Sequence, residues 1–179
     1  MTDLLDRLDT AAAGLTRALE AAHAKAAWGA DSPCEGWTAG DVADHITGNY
    51  ISVAASLGRD VTKTGDRLHD WTTARDTVLR AVAGDGRLDT LVPSPGGEMP
   101  LGRFLAVYME VDTLVHTWDI ARAVGADESL DEEVCRRCYE RLLPADETMR
   151  RSGSFGPKLD SDDGDSIQVK ALRFFGRPA

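Results

Sequence analysis

An all-α helical bundle is the fold class this sequence predicts, and three observations predict it. Apolar residues recur at three- and four-residue intervals in segment after segment. The breaks between those segments are dense in proline and glycine. One proline-free stretch, 101–124, is apolar round most of its helical circumference, as a central helix must be. With 42% apolar and 28% charged residues, the 179-residue chain has the balance of a globular protein with a real core.

Residues 3–27 carry Leu4, Leu5, Leu8, Leu15 and Leu19 in Ala-rich sequence, whose high helix propensity predicts a first long helix. The stretch 28–37 is rich in turn formers, and Pro33 stops that helix, so it reads as an ordered loop anchored by Trp28 and Trp37. Thr38 stands at an N-cap position with Asp41 three residues on, a variant capping box, and Val42, Ile46, Val53 and Leu57 continue a second helix over about 39–57. Trp71, Ala74, Val78, Leu79 and Val82 predict a third over 70–83. Three prolines and two glycines make 91–100 a loop, with a short extended piece at 88–92.

The central helix then runs from Leu101 to Val124, with Gly125 as its stop. A fifth helix fits Asp131–Leu143, ending at Pro144. The tail through Ser152–Pro157 reads as irregular before a helical segment at Ile167–Phe175. No repeat, linker or second domain interrupts residues 1–179, so a single domain is expected.

The acidic N-terminus lacks a basic stretch leading into an apolar one, and no run of about 18 apolar residues occurs; a cytoplasmic protein is expected. The formal charge of −10, from 30 acidic and 20 basic residues, repels phosphate backbones and anionic headgroups. Neither nucleic acid nor a membrane is an expected partner. Cys34, Cys135 and Cys138 are an odd number without framework spacing, which suits a reducing compartment. Cys135 and Cys138 share one helix face and read as small core residues.

The residues that carry chemistry lie on two helices. Asp112 and His116 stand four apart on the central helix, so their side chains rise from one face with Cβ atoms about 6 Å apart, close enough to grip one cation. The same spacing also suits a hydrogen-bonded structural pair. His45, mid-helix between Val42 and Ile46, is the third ligand such a site needs. Asp119 falls on the same stripe and is expected to accept the other N–H of His116 or to pair with Arg122. Glu110, about 240° round the helix from His116, should point elsewhere. His23 and His69 read as solvated. Nucleophile elbow, glycine-rich phosphate loop and paired-cysteine zinc spacing are all absent from the sequence.

Pro33-Cys-Glu-Gly-Trp37, Asp41-Val-Ala-Asp-His45 and Asp112-Thr-Leu-Val-His-Thr-Trp-Asp-Ile-Ala-Arg122 with Gly125 together resemble the DinB/YfiT-like metalloprotein superfamily, in the branch related to mycothiol-dependent maleylpyruvate isomerase. Ser152-Gly-Ser-Phe-Gly-Pro157 and Ala171-Leu-Arg-Phe-Phe-Gly-Arg177 resemble the C-terminal pattern of that branch. The resemblance implies an up-down-down-up four-helix bundle with a short irregular C-terminal extension. It also implies one divalent metal ion, zinc or nickel, held by His45, Asp112 and His116, with positions open to water or substrate. The chain departs from the isomerase in carrying Asp112 where that enzyme has Glu, and it is too short for that enzyme's additional C-terminal domain.

The expected activity is a metal-dependent thiol transferase or isomerase in which a low-molecular-weight thiol such as mycothiol attacks a small electrophilic substrate. A hydrolase, lyase or cyclase using water activated at the metal would need the same ligands. A non-catalytic protein whose metal ties two helices together is the third reading. A homodimer is a further expectation, dimers being common among oligomers.

Overall fold

The structure is a computed structural model describing residues 2–85, 87–94, 97–151 and 156–179. The bundle consists of α1 (Thr2–Ala24), α2 (Ala39–Ser56), α3 (Arg67–Asp85) and a fourth, composite helix. That helix starts as α4 (Leu101–Phe104), passes through a π-helical turn (Leu105–Met109) and continues as α5 (Glu110–Ala123).

Cross-helix contacts set the directions. Thr117 of α5 lies beside Gly14 of α1, and Lys25 just past α1 donates to the Val124 and Gly125 carbonyls just past α5, so α1 and α5 run parallel. His45 meets His116 while Asn49 meets Asp112, which makes α2 antiparallel to α5. Arg67 grips Asp44 and Trp71 packs on Tyr50, so α2 and α3 are parallel. The result is the up-down-down-up arrangement. Parallel neighbours need a return connection: α2 is about 27 Å long, and residues 57–66 reach about 33 Å when extended. Residues 59–64 accordingly have no regular structure.

Helix boundaries follow local chemistry. The Thr38–Asp41 capping box forms, with the Asp41 N–H donating to the Thr38 hydroxyl and the Thr38 N–H donating to the Asp41 carboxylate. Helix α3 begins three residues before the expected Asp70, because Asp66 accepts from the Leu68 and His69 N–H groups and caps it. Gly125 (φ +58°) ends α5: the Ala126 N–H returns to Ala121 and the Gly125 N–H to Arg122, a Schellman turn.

The segment 91–100 is more ordered than expected. β1 (Leu91–Ser94) pairs antiparallel with β2 (Gly97–Pro100), Val92 opposite Met99. Pro93 and Pro100 fit because each strand of a two-stranded ribbon has a free edge on which no N–H is required.

Leu15, Leu19, Ile46, Tyr50, Trp71 and Leu105 are among the residues filling the bundle interior. A second core lies on the far side of α5, where α6 (Glu132–Leu142, capped by Asp131) and α8 (Ile167–Phe174) bring Val134, Cys138, Phe174 and Phe175 against Val111 and Leu114. This double burial explains why α5 is apolar nearly all round. Cys135 and Cys138 are core residues, and burial pushes the Cys135 thiol up to about 12. The C-terminal region is also more regular than an irregular extension: α7 (Asp146–Arg151) follows α6, and residues 157–161 lack regular structure. Of the Ser152–Pro157 segment, residues 152–155 lie outside the described residues.

Asp70 supplies a prediction. It is buried and accepts from the Thr64 N–H at 2.7 Å, the Thr64 hydroxyl at 2.7 Å and the Gly65 N–H at 3.1 Å, tying the long connection to α3. Burial alone would raise its pKa, but these bonds outweigh it and hold the carboxyl below its ordinary 3.8. Asp70→Ala should cost about 1–3 kcal/mol. Because the folded value is depressed, the charge-linked part is fully present above pH 3.8 and is lost as pH falls through the folded value. Urea melts of both proteins at pH 7 and pH 3 check this; a difference as large at pH 3 as at pH 7 would contradict it.

Candidate metal centre

Three side chains from two helices converge midway along the bundle. His45 projects from α2, and Asp112 and His116 from successive turns of α5. His45 Nε2 lies 3.5 Å from Asp112 Oδ2 and His116 Nε2 lies 3.3 Å from Asp112 Oδ1. The three ligand atoms all lie within 4.8 Å of one another. Two atoms each bound to zinc at 2.0–2.1 Å and a tetrahedral angle stand about 3.3–3.4 Å apart. The spacing from each histidine to its nearer Asp112 oxygen is close to that edge, the two histidines approaching different oxygens, and two imidazole nitrogens with one carboxylate are a donor set suited to zinc or nickel.

Neighbouring groups orient the ligands. The His116 ring donates its Nδ1–H to Asp119 Oδ2 at 2.9 Å, which turns Nε2 toward Asp112 and His45. Asn49 Nδ2 donates to Asp112 Oδ2 at 2.8 Å and lies 3.1 Å from His45 Nε2. Trp37, returning from the loop before α2, stacks over His116 at 6.4 Å and lies 5.1 Å from His45. Burial opposes charge on His116, but the carboxylates of Asp112 and Asp119 outweigh it and raise its pKa well above 6.5. The two histidines likewise hold the Asp112 carboxyl far down against its burial. A proton on Nε2 therefore occupies the kind of position a cation would take.

Asp119 is fully buried and its partner is Arg177, not Arg122. Arg177 donates from Nε to Oδ1 at 2.7 Å and from Nη2 to Oδ2 at 2.9 Å. Arg122 instead pairs with Glu128 at 2.9 Å and lies over Trp118, because its position on α5 turns it to the solvent side. Arg177 reaches Asp119 through the Schellman turn ending α8, where the Arg177 N–H returns to Leu172 and the Gly176 N–H to Arg173. Gly176 has φ +80°, and a Cβ there would lie 2.9 Å from the Pro157 carbonyl, so only glycine fits.

Cys34 completes the surroundings, its Sγ 3.3 Å from Asp119 Oδ2 and 3.2 Å from Arg177 Nη2. Cys34, His116 and Asp119 also lie close enough to hold an ion. With Arg177 bonded to both Asp119 oxygens, that position already holds a cation, which favours the His45–Asp112–His116 set. Sequence reasoning passed over Asn49, Cys34 and Arg177. Asn49 had a legible signal, four residues after His45 on the same face. His23 and His69 are exposed and belong to neither candidate ligand group, and the buried Glu110 carboxylate pairs with Arg137 and Arg141.

Beside the cluster opens a cavity of about 500 Å³. His45, Asn49 and Asp112 form its polar end, and Val92 of the hairpin, Leu101, Phe104 and Met109 contribute apolar wall. Val92 and Pro93 of the hairpin line this cavity and the loop 28–37 brings Cys34 and Trp37 to the cluster, while no described residue of 58–69 lines the cavity.

Residues 8–121 match the mycothiol maleylpyruvate isomerase N-terminal domain, a span holding His45, Asp112, His116 and Asp119. The chain belongs to that family. Two uncharacterised proteins of Mycobacterium tuberculosis, from strains CDC 1551 / Oshkosh and H37Rv, are each 29% identical to it over 120 residues, or 65% of this chain. The match covers 64% of the length of each of these relatives. No solved structure matches the chain significantly. The family match ends before α6 and α8, so Arg177 lies outside it. Among the described residues no helix is long and apolar enough to cross a membrane.

Proposed function

We propose that this family member is a metal-dependent enzyme that joins a low-molecular-weight thiol such as mycothiol to a small electrophile, as a transferase or isomerase. The observation that carries the reading is the convergence of His45, Asp112 and His116 beside a cavity of largely apolar lining, to which His45 and Asp112 contribute polar groups. A divalent ion held by these three residues, zinc first and nickel second, would supply the positive charge that favours thiolate over thiol.

The chain's own residues do the rest. Asp119 keeps the His116 proton on Nδ1, so that Nε2 is the ligand atom. Asn49 fixes the Asp112 carboxylate. Asp112 brings a single negative charge, leaving the centre net positive with a divalent ion. The apolar walls limit water around the reacting carbon. With the thiol as nucleophile, no protein nucleophile is required.

Elemental mass spectrometry on tag-free protein tests the reading. One equivalent of metal is expected in the wild type and in His23→Ala, and none in His45→Ala or His116→Ala. Full stoichiometry in His116→Ala would refute the ligand set. Turnover of an electrophile should require added thiol; full turnover without thiol would replace thiol transfer by a hydrolase, lyase or cyclase step.

A further inference from the structure

The walls of the cavity carry more than its size. No lysine or arginine occurs among its described lining residues, and the one carboxylate among them is Asp112. Arg177 is paired with Asp119, Arg137 and Arg141 with Glu110, and Arg67 with Asp44. The hydroxyls of Ser52, Ser56 and Tyr108 are the other polar side-chain groups of the lining.

A carboxylate placed against such walls loses its hydration and gains no counter-charge, which strongly opposes binding. An uncharged apolar body gains by the same transfer. The dicarboxylate after which the family is named could set one carboxylate toward a metal ion, leaving the second against Val92, Leu101 and Phe104. We infer that this chain takes an uncharged electrophile with an aryl or branched-alkyl body, and discriminates against dicarboxylates. The inference rests on the reading of this cavity as the substrate site.

Displacement of the neutral fluorophore N-phenyl-1-naphthylamine from the zinc-treated full chain tests it. Benzylideneacetone, a neutral enone, should displace the probe at about 100-fold lower concentration than maleylpyruvate. Ser56→Trp, at an exposed position on the cavity wall, should block probe binding. Ser52→Arg should narrow the preference roughly tenfold by supplying the missing cation. No probe binding, probe binding untouched by Ser56→Trp, or maleylpyruvate competing as well as the enone would each overturn the inference. Repeating the series with chelator-treated protein separates the two claims. A preserved preference in protein that never binds metal sinks the catalytic reading alone, and one bound metal with no preference sinks the substrate class alone.

Discussion

Glu110→Ala should cost about 3–5 kcal/mol and lower Tm by roughly 6–20 °C. Glu110 is wholly buried at the start of α5, where Arg137 donates to Oε1 at 3.0 and 3.2 Å and Arg141 to Oε2 at 2.8 Å. Truncation removes the buried counter-charge of two largely buried guanidinium groups, leaving Arg137 only the exposed Glu133 carboxylate at 3.4 Å, and that uncompensated desolvation dominates the loss.

Arg141 has a second task that ties this pair to the cavity. The Glu110 N–H bonds back five residues to the Leu105 carbonyl, which leaves the Ala106 carbonyl without its usual helical donor, and Arg141 donates to it. The π-helical turn so stabilised carries Tyr108 and Met109 to the cavity wall. Replacing Glu110, Arg137 and Arg141 together by apolar residues should recover much of the lost stability, since the desolvation cost leaves with the charges. Calorimetry on the single and triple variants decides it. A single-variant loss below about 1 kcal/mol would show that the pair is as weak as an exposed one.

Asp112→Asn should abolish tight metal binding, while Asp119→Asn should weaken it by about 10–100-fold. The first removes a ligand and its charge; the second loosens the ring that Asp119 orients. Asp119→Asn should also destabilise the metal-free chain by about 1–3 kcal/mol, because Arg177 is left without its counter-charge. In the wild type the ion must displace a proton from His116, so affinity should rise with pH. Competition with a chromophoric chelator measures all of this. The reverse order of affinities would mean that Asp119, not Asp112, is the ligand on the stripe.

The helices and the pairing of Asp112 with His116 were legible in the sequence because both are local. A 3.6-residue period puts residues four apart on one face whatever packs against it, and caps such as Thr38–Asp41 act within one turn. His45 was legible as a polar residue set among apolar ones in the second helix. The choice of Arg177 over Arg122 for Asp119 was not. Arg122 is three residues away but faces Glu128, and Arg177 is 58 residues away, delivered by the turn that ends α8. Cys34 arrives across 85 residues in the same manner, and the π-helical turn depends on a carbonyl partner 35 residues further on. By itself the sequence determined which side chains share a helix face, since backbone geometry alone decides that. Only the tertiary structure decided which buried charge meets which counter-charge, because that depends on where distant segments end once their apolar faces have packed.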